Sequence, residues 1–559
     1  MSKNKARALP RTVPVPASAP APGFWDSRIL PFFEKWALAI ALCCMAIACL
    51  RIAATWSQLG LTFDEPQHFA CGLEYLAKHV YRYEPQHPPL ARAMTAVLPY
   101  LDGARPTGNP DRENEGVGLL VRSANPDRFL TLMRAGILPF FLLACLVVFF
   151  WTRHIFGGPA ASLATLLFTL LPPVLAHAGL ATTDMALAAC LGAAFFALVL
   201  WAEAPTWKRS VFLGLAGASA ALSKFTALGY FPAGALLALL AWALVVRPGR
   251  AQLAQLVRVR APALLLAAAT GALTIWAAYY FSFGSITAGG ASLPAPEFFD
   301  GIRTALRHNQ EGHPSYLLGR NGTNGWWYYF PVALAVKTPI ALLLLLALGV
   351  WLCVNRRARP GAWLPVAFAL GILLPAMSSH VNIGVRHILP IYLGFSVIAA
   401  AGLIRVAQAT PAGALALVLW LAISGALSHP DYLAYFNEFV GSEPEKVLVD
   451  SDLDWGQSTK PLARRLKELG ATEVNFGVKN GRSAYLEVWP GLPKIKPIHP
   501  AIPAEGWTAV SPTIDKTTQY GLFFRYPNMQ PWFDNLRPTE RVGSYLLYYV
   551  PPGSLRKTP

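Results

Sequence analysis

Two adjacent carboxylates, Asp64 and Glu65, follow closely on the first long apolar run, in the stretch Thr62-Phe63-Asp64-Glu65-Pro66-Gln67-His68. Acids at a membrane boundary are costly to desolvate and call for a partner or a function. A third acid, Asp184, opens a later apolar run. Lys224, Lys337 and the pair Arg386-His387 stand at the ends of others. Three cationic positions at similar depth suit an anion at the membrane surface, most simply a lipid phosphate. If a sugar is joined through that phosphate, the leaving group needs cations rather than a strong acid. One carboxylate would take the proton of the attacking hydroxyl. Each residue also has a structural reading: snorkelling for the cations, and helix capping for Asp184 and for the Asp64-Glu65-Pro66-Gln67 box.

The elements that must position these residues are apolar helices. Of 559 residues 54% are hydrophobic and 14% charged, with mean hydropathy +0.40, which excludes an ordinary soluble protein. Runs long enough to cross ~30 Å of hydrocarbon predict eleven spans. They cover 36–56, 130–151, 158–177, 184–202, 210–223, 226–246, 261–281, 330–353, 362–378, 388–404 and 411–428. The net charge of +17 does not signal nucleic acid, because the basic residues lie in short loops. With a cytoplasmic N-terminus, Lys3 to Lys35, Arg153, Lys208-Arg209, Arg247 to Arg260, Arg356 to Arg359 and Arg405 all fall inside. The expected location is the bacterial cytoplasmic membrane. Six of seven cysteines lie in apolar runs, so no disulfide framework is expected.

This topology assigns 1–35 to a disordered basic cytoplasmic tail and 36–428 to the membrane domain. It places 57–129, 282–329 and 429–559 outside. Phe69, Leu73, Leu76 and Val80, then Leu90, Met94, Val97 and Leu101, recur at helical spacing and predict two interfacial helices. The second outer loop reads as a mobile cover. In the tail, Lys446–Asp450, Ser458–Leu469 and Thr472–Val478 read as strand, helix and strand, with further strands at Trp507–Val510 and Ser544–Val550. The fold class is therefore a polytopic α-helical membrane protein with a small C-terminal α/β domain.

At these residues the chain resembles bacterial GT-C glycosyltransferases of the protein O-mannosyltransferase-like and aminoarabinose-transferase-like kinds. The matching motifs are Phe63-Asp64-Glu65, His87-Pro88-Pro89-Leu90, Thr183-Asp184, Leu222-Ser223-Lys224-Phe225-Thr226, Val336-Lys337-Thr338-Pro339, Gly384-Val385-Arg386-His387 and Asp452-Leu453-Asp454-Trp455-Gly456-Gln457. The resemblance implies that Asp64 is the base or its neighbour, with Glu65 beside it and Asp184 assisting. It implies that Lys224, Lys337, Arg386 and His387 meet the donor phosphate. His68 and His87 are candidate substrate contacts. The family varies in whether a divalent metal is bound. His68 and His87 with the acids, or Asp450, Asp452 and Asp454, are candidate ligands, so the metal stays open. The reaction implied is inverting transfer of a sugar from a polyprenyl phosphate to a protein, lipid or glycan hydroxyl at the outer face. The alternatives are a lipid-phosphate phosphatase or ligase, and a transporter or flippase of lipid-linked sugars, which would gather polar groups at broken midplane helices.

Overall fold

The computed structural model describes residues 29–286, 290–355, 361–476, 491–498, 502–517 and 531–557. Most of the basic tail and the arginines at 356, 357 and 359 lie outside the described residues. Within them, each predicted span coincides with helix: Leu30–Trp56, Pro126–Phe156, Gly158–Leu170 with Pro172–Ala178, Asp184–Glu203, Trp207–Ser223, Ala227–Val246, Arg250–Ala278, Tyr329–Lys337 with Ile340–Val354, Leu364–Ala376, Ile391–Ala409 and Pro411–Leu427. Six are long and apolar enough to cross a membrane, or eight if each bent pair counts as one span. The first helix starts at Leu30, so residues 30–35 belong to it rather than to the tail.

The two stretches with amphipathic spacing form helices, at Glu65–Lys78 and Pro89–Leu101. The pairing of Gly72 with Arg92 lets them touch: a Cβ on Gly72 would lie 1.9 Å from the Arg92 carbonyl oxygen. Two further helices complete the first outer loop, at Arg112–Arg122, capped by Asp111, and at Pro126–Ala135, capped by Asn125. The second outer loop is not an open cover. It contains the helix Pro296–Glu311 and a short hairpin of Ser315–Leu317 with Arg320–Gly322.

Small residues set the helix spacing, as they do where lipid supplies no hydrophobic drive. A Cβ on Gly214 would fall 2.3 Å from the Ala267 carbonyl, and one on Gly371 would fall 2.3 Å from Gly234 Cα.

The C-terminal region carries a five-stranded sheet in the order Lys494–Pro497, Glu473–Phe476, Gly506–Val510, Tyr545–Val550, Glu540–Val542. The first three strands are parallel and the last two antiparallel. The helix Thr459–Glu468 buries Leu462 and Leu466 against it. Lys446–Asp450 is not a strand. Pro444 starts a tight turn, with the amides of Lys446 and Val447 bonded to the carbonyls of Glu443 and Pro444. Asp450 then takes φ 59° and opens a second turn. Leu448 and Val449 are buried and Val447 is half-buried, its carbonyl accepting from the Leu318 amide at 3.0 Å.

Gly214→Leu and Gly371→Leu are expected to lower stability by about 1–3 kcal/mol through forced helix separation. Gly217→Ala, where a Cβ meets nothing within 4 Å, is expected to be neutral. Thermal unfolding in detergent micelles measures the contrast.

Candidate active site

The candidate residues lie at helix ends. Asp64 precedes the helix Glu65–Lys78, Asp184 begins Asp184–Glu203, Lys224 follows Trp207–Ser223, and Arg386 sits in a short turn before Ile391–Ala409. Asp184 is at a positive helix terminus and Lys224 at a negative one, so each charge meets the dipole that favours it. Lys224 Nζ lies 2.7 Å from Asp184 Oδ1. Arg386 Nη1 lies 2.9 Å from Asp64 Oδ2 and 3.9 Å from Asp184 Oδ2. Asp64, Arg386, Asp184 and Lys224 thus form one chain of alternating charge. Asp64 is its reachable member: its side chain is 23% exposed, against 8% for Arg386, 5% for Lys224 and 0% for Asp184.

Neither acid caps its helix through its side chain. Asp64 accepts from Arg386 and from Gln67 Nε2 at 3.0 Å, and Asp184 accepts from Lys224 and from Thr182 Oγ1 at 3.1 Å. Burial alone would raise the Asp64 carboxyl. The Arg386 guanidinium, by its charge and its hydrogen bond, outweighs it and holds the group below the usual carboxylate range.

Glu65 is different in kind. It is fully buried, and its two oxygens accept from Arg134 Nε and Nη2 at 2.7 and 2.8 Å and from the Thr62 and Ala181 amides at 2.9 Å each. Arg134 also donates to the Gly60 carbonyl at 2.6 Å. Four donors saturate the carboxylate. Glu65 ties the first outer loop to the Asp184 turn and is placed to hold structure rather than to meet an acceptor.

The expectation for Lys337 changes as well. Its ammonium donates to the carbonyls of Leu433 (2.8 Å), Asp452 (2.6 Å) and Tyr435, and it is 2% exposed. Three protons on three carbonyls leave none for a phosphate. The helix bends by 115° just past Lys337, at Thr338-Pro339. Asn437 Nδ2 takes up the freed carbonyls of Ala335 and Thr338. Lys337 and Asn437 fasten the 433–437 segment to this break.

His68 accepts a hydrogen bond at Nδ1 from Arg92 Nε, 3.1 Å away, and stands edge-to-face with His87 at 5.4 Å. Burial and the adjacent Arg92 bring His68 down to about 3, so its ring is neutral with the proton on Nε2. Arg92 is itself fully buried and bonded to Glu84 and to Tyr81 Oη. His87 Nδ1, His387 Nε2 and Arg386 Nε are buried with no hydrogen-bond partner among the described residues. His387 adjoins Arg386 in the same turn, and its carbonyl accepts from Tyr230.

Asp452 and Asp454 are buried and already engaged. Asp452 Oδ1 accepts from the Val385 amide at 2.9 Å, and Asp454 accepts from Ser544 Oγ at 3.0 Å and from Ser511. Among the described residues no three His, Cys, Asp or Glu side chains are grouped to hold a metal ion. Within the Asp450–Asp454 run, the Asp452 and Asp454 carboxylates are thus taken up by protein donors.

Sequence reasoning missed Arg134, Arg92 and Trp455. Arg134 lies inside a predicted span, and the rule that singled out Lys337 would have found it. Trp455 lies in the C-terminal motif, and its ring centroid is 4.1 Å from Arg386 Cζ.

The family model for dolichyl-phosphate-mannose-protein mannosyltransferase matches residues 41–289, somewhat under half of the chain. The matched part contains four of the seven motifs, from Phe63-Asp64-Glu65 to the one around Lys224, and supports the GT-C glycosyltransferase class read from them. No curated protein matches the chain. Among solved structures, ArnT from Cupriavidus metallidurans bound to undecaprenyl phosphate aligns at 15% identity and TM-score 0.49, over 90% of this chain and 97% of its own. The Archaeoglobus fulgidus oligosaccharyltransferase aligns at 15% identity and TM-score 0.43, over 85% and 62%.

Glu65→Gln is expected to destabilise the protein by about 3–5 kcal/mol, because it strands Arg134 as an uncompensated buried charge. The double variant Glu65→Met/Arg134→Met should recover much of the loss. Thermal unfolding of the single and double variants measures the difference.

Proposed function

We propose that this protein is an inverting glycosyltransferase of the outer face of the cytoplasmic membrane, with a polyprenyl-phosphate sugar as donor and a hydroxyl as acceptor. The observation that carries the proposal is the alternating Asp64–Arg386–Asp184–Lys224 chain, which pairs the one reachable carboxylate with a guanidinium.

In this reading Arg386 and Lys224 receive the donor phosphate, with His387 beside them. The acceptor oxygen attacks the anomeric carbon as the bond from that carbon to the phosphate oxygen breaks, and the electron pair leaves with the lipid phosphate. The acceptor proton passes to Asp64. Cations at the leaving oxygen stabilise charge where it develops. Asp184 holds Lys224 and Arg386 in register and stays paired. Glu65 and Lys337 act only by keeping the loops in place. A single displacement inverts the anomeric centre.

The resting ion pair makes Asp64 a weak base, since Arg386 depresses its pKa. Donor phosphate competes for the same guanidinium. As Arg386 turns to the phosphate, Asp64 loses its partner and gains an anionic neighbour, and both changes raise its basicity. The donor therefore switches on the base that consumes it.

The transporter reading needs polar breaks at mid-depth. Here one break adjoins Lys337, and the other lies between Leu170 and Pro172, shortly before Asp184. Both belong to the end of the bundle that holds the charge chain.

Asp64→Asn is expected to reduce transfer from labelled undecaprenyl-phosphate mannose, or from the aminoarabinose donor as a second probe, by about a hundredfold or more. Turnover near the wild-type rate with either donor would overturn the assignment. The pH profiles provide a second measurement. The acid limb of kcat/KM reports free enzyme, where Asp64 lies below its ordinary range, and that of kcat reports the donor complex. The proposal expects the kcat limb at higher pH than the kcat/KM limb; coincident limbs would refute the exchange of partners by Arg386.

A further inference from the structure

Residues 451–457 come from the C-terminal region but are built into the membrane-domain site. The Gly60 amide donates to the Gln457 carbonyl at 2.7 Å, and the Phe63 amide donates to the Trp455 carbonyl at 3.1 Å. These two bonds fix the loop that ends in Asp64. On the other side, Asp452 accepts from the Val385 amide and Ser451 Oγ donates to the Ile383 carbonyl, which fixes the turn that carries Arg386. One short segment thus bridges the two loops whose side chains form the Asp64–Arg386 pair.

Trp455 is the member of this segment whose side chain reaches the charges. It is 2% exposed, its ring lies under the Arg386 guanidinium with 4.1 Å from Cζ to centroid, and His177 stands 6.5 Å away edge-on. Its amide is held by Gln457 Oε1 at 2.8 Å, and Gln457 Nε2 is held in turn by Asp431 at 3.1 Å. The ring is therefore anchored from the segment's own backbone. Arg386 Nη1 has carboxylate partners, while Nε has none. The guanidinium is located by one hydrogen bond at its edge and by the indole at its face.

We propose that Trp455 is a positioning residue for Arg386: its indole face holds the guanidinium plane so that the cation can turn from Asp64 to the donor phosphate without leaving the site. The role rests on the glycosyl-transfer reading above. A cation–π contact is strongest when both partners are shielded from water, as Arg386 and Trp455 are. A flat aromatic also lets the guanidinium pivot in its plane, because the contact with the ring face has no fixed donor–acceptor direction.

The test is a set of Trp455 variants in the full-length protein, assayed with labelled undecaprenyl-phosphate mannose and with the aminoarabinose donor, using whichever supports turnover. Trp455→Ala should lower kcat/KM about tenfold, and Trp455→Phe should restore activity to within about threefold of wild type, since a π face remains. Trp455→Leu fills space without a π face and should stay near the alanine level. In an Arg386→Lys background, Trp455→Leu should have little further effect. Leucine activity equal to that of phenylalanine, or strictly additive losses with Arg386→Lys, would overturn the role. Thermal unfolding that matches between the Phe and Leu variants assigns their difference to Arg386 rather than to folding. If Asp64→Asn keeps full activity with an active donor, the transfer reading itself fails. If Asp64→Asn is inactive while Trp455→Leu is normal, only the positioning role fails.

Discussion

The Asp64–Arg386 ion pair joins two points 322 residues apart in the chain, and the site takes its shape from what that pairing demands. A guanidinium this buried is costly unless a carboxylate meets it. One carboxylate would leave a net charge beside Lys224, so Asp184 stands between the two cations and balances them. Two acids and two cations then share a nearly closed space with no net charge. Any element that moves one of the four exposes the others to an unpaired, poorly solvated state. The helix ends that supply them are held to a common level for that reason.

The adjacent acids at 64 and 65 divide two jobs that a single carboxylate cannot combine. Adjacent positions at a helix start point about 100° apart. Glu65 turns inward, where Arg134 and two amides saturate it, and Asp64 turns to the partly open rim. Saturation makes Glu65 a strong anchor and removes it from chemistry. Asp64 keeps spare acceptor capacity because its partners are fewer. The stability lost by leaving Asp64 partly open is offset next door, where the Glu65 network fixes the backbone of both residues.

Much of the helical framework was legible in the sequence because it depends on local pattern. Apolar runs of sufficient length announce helices, and the spacing of Phe69, Leu73 and Leu76 announced an amphipathic one. The helices Arg112–Arg122 and Pro296–Glu311 are polar and outside the apolar runs; a side-chain cap, Asp111, marks the first, and the second has none. The roles of Glu65 and Lys337 were not legible. An intramembrane charge signals a partner, but the partner's identity depends on contacts across 69 residues for Glu65–Arg134 and 96 to 115 for Lys337 and its carbonyls. Lys446–Asp450 failed for a related reason: a β-branched apolar run predicts burial well, and burial here comes from tight turns packed under the membrane domain.

The position of the 451–457 segment changes what the C-terminal region is for. A domain that merely decorated the membrane surface would touch loop tips. This one supplies backbone carbonyls to the irregular 60–63 stretch, carboxylate and hydroxyl groups to the Ile383–Val385 turn, and a carbonyl to Lys337 at the helix break. The helix bundle brings the four charges to the same end, but the backbone that carries Asp64 and Arg386 is closed from the C-terminal side. Both parts are needed to build the charge cluster: helices whose ends bring the four charges together, and a C-terminal segment that fixes the loops carrying the acid and the cation. The sheet and its helix are the scaffold that keeps this segment in one conformation.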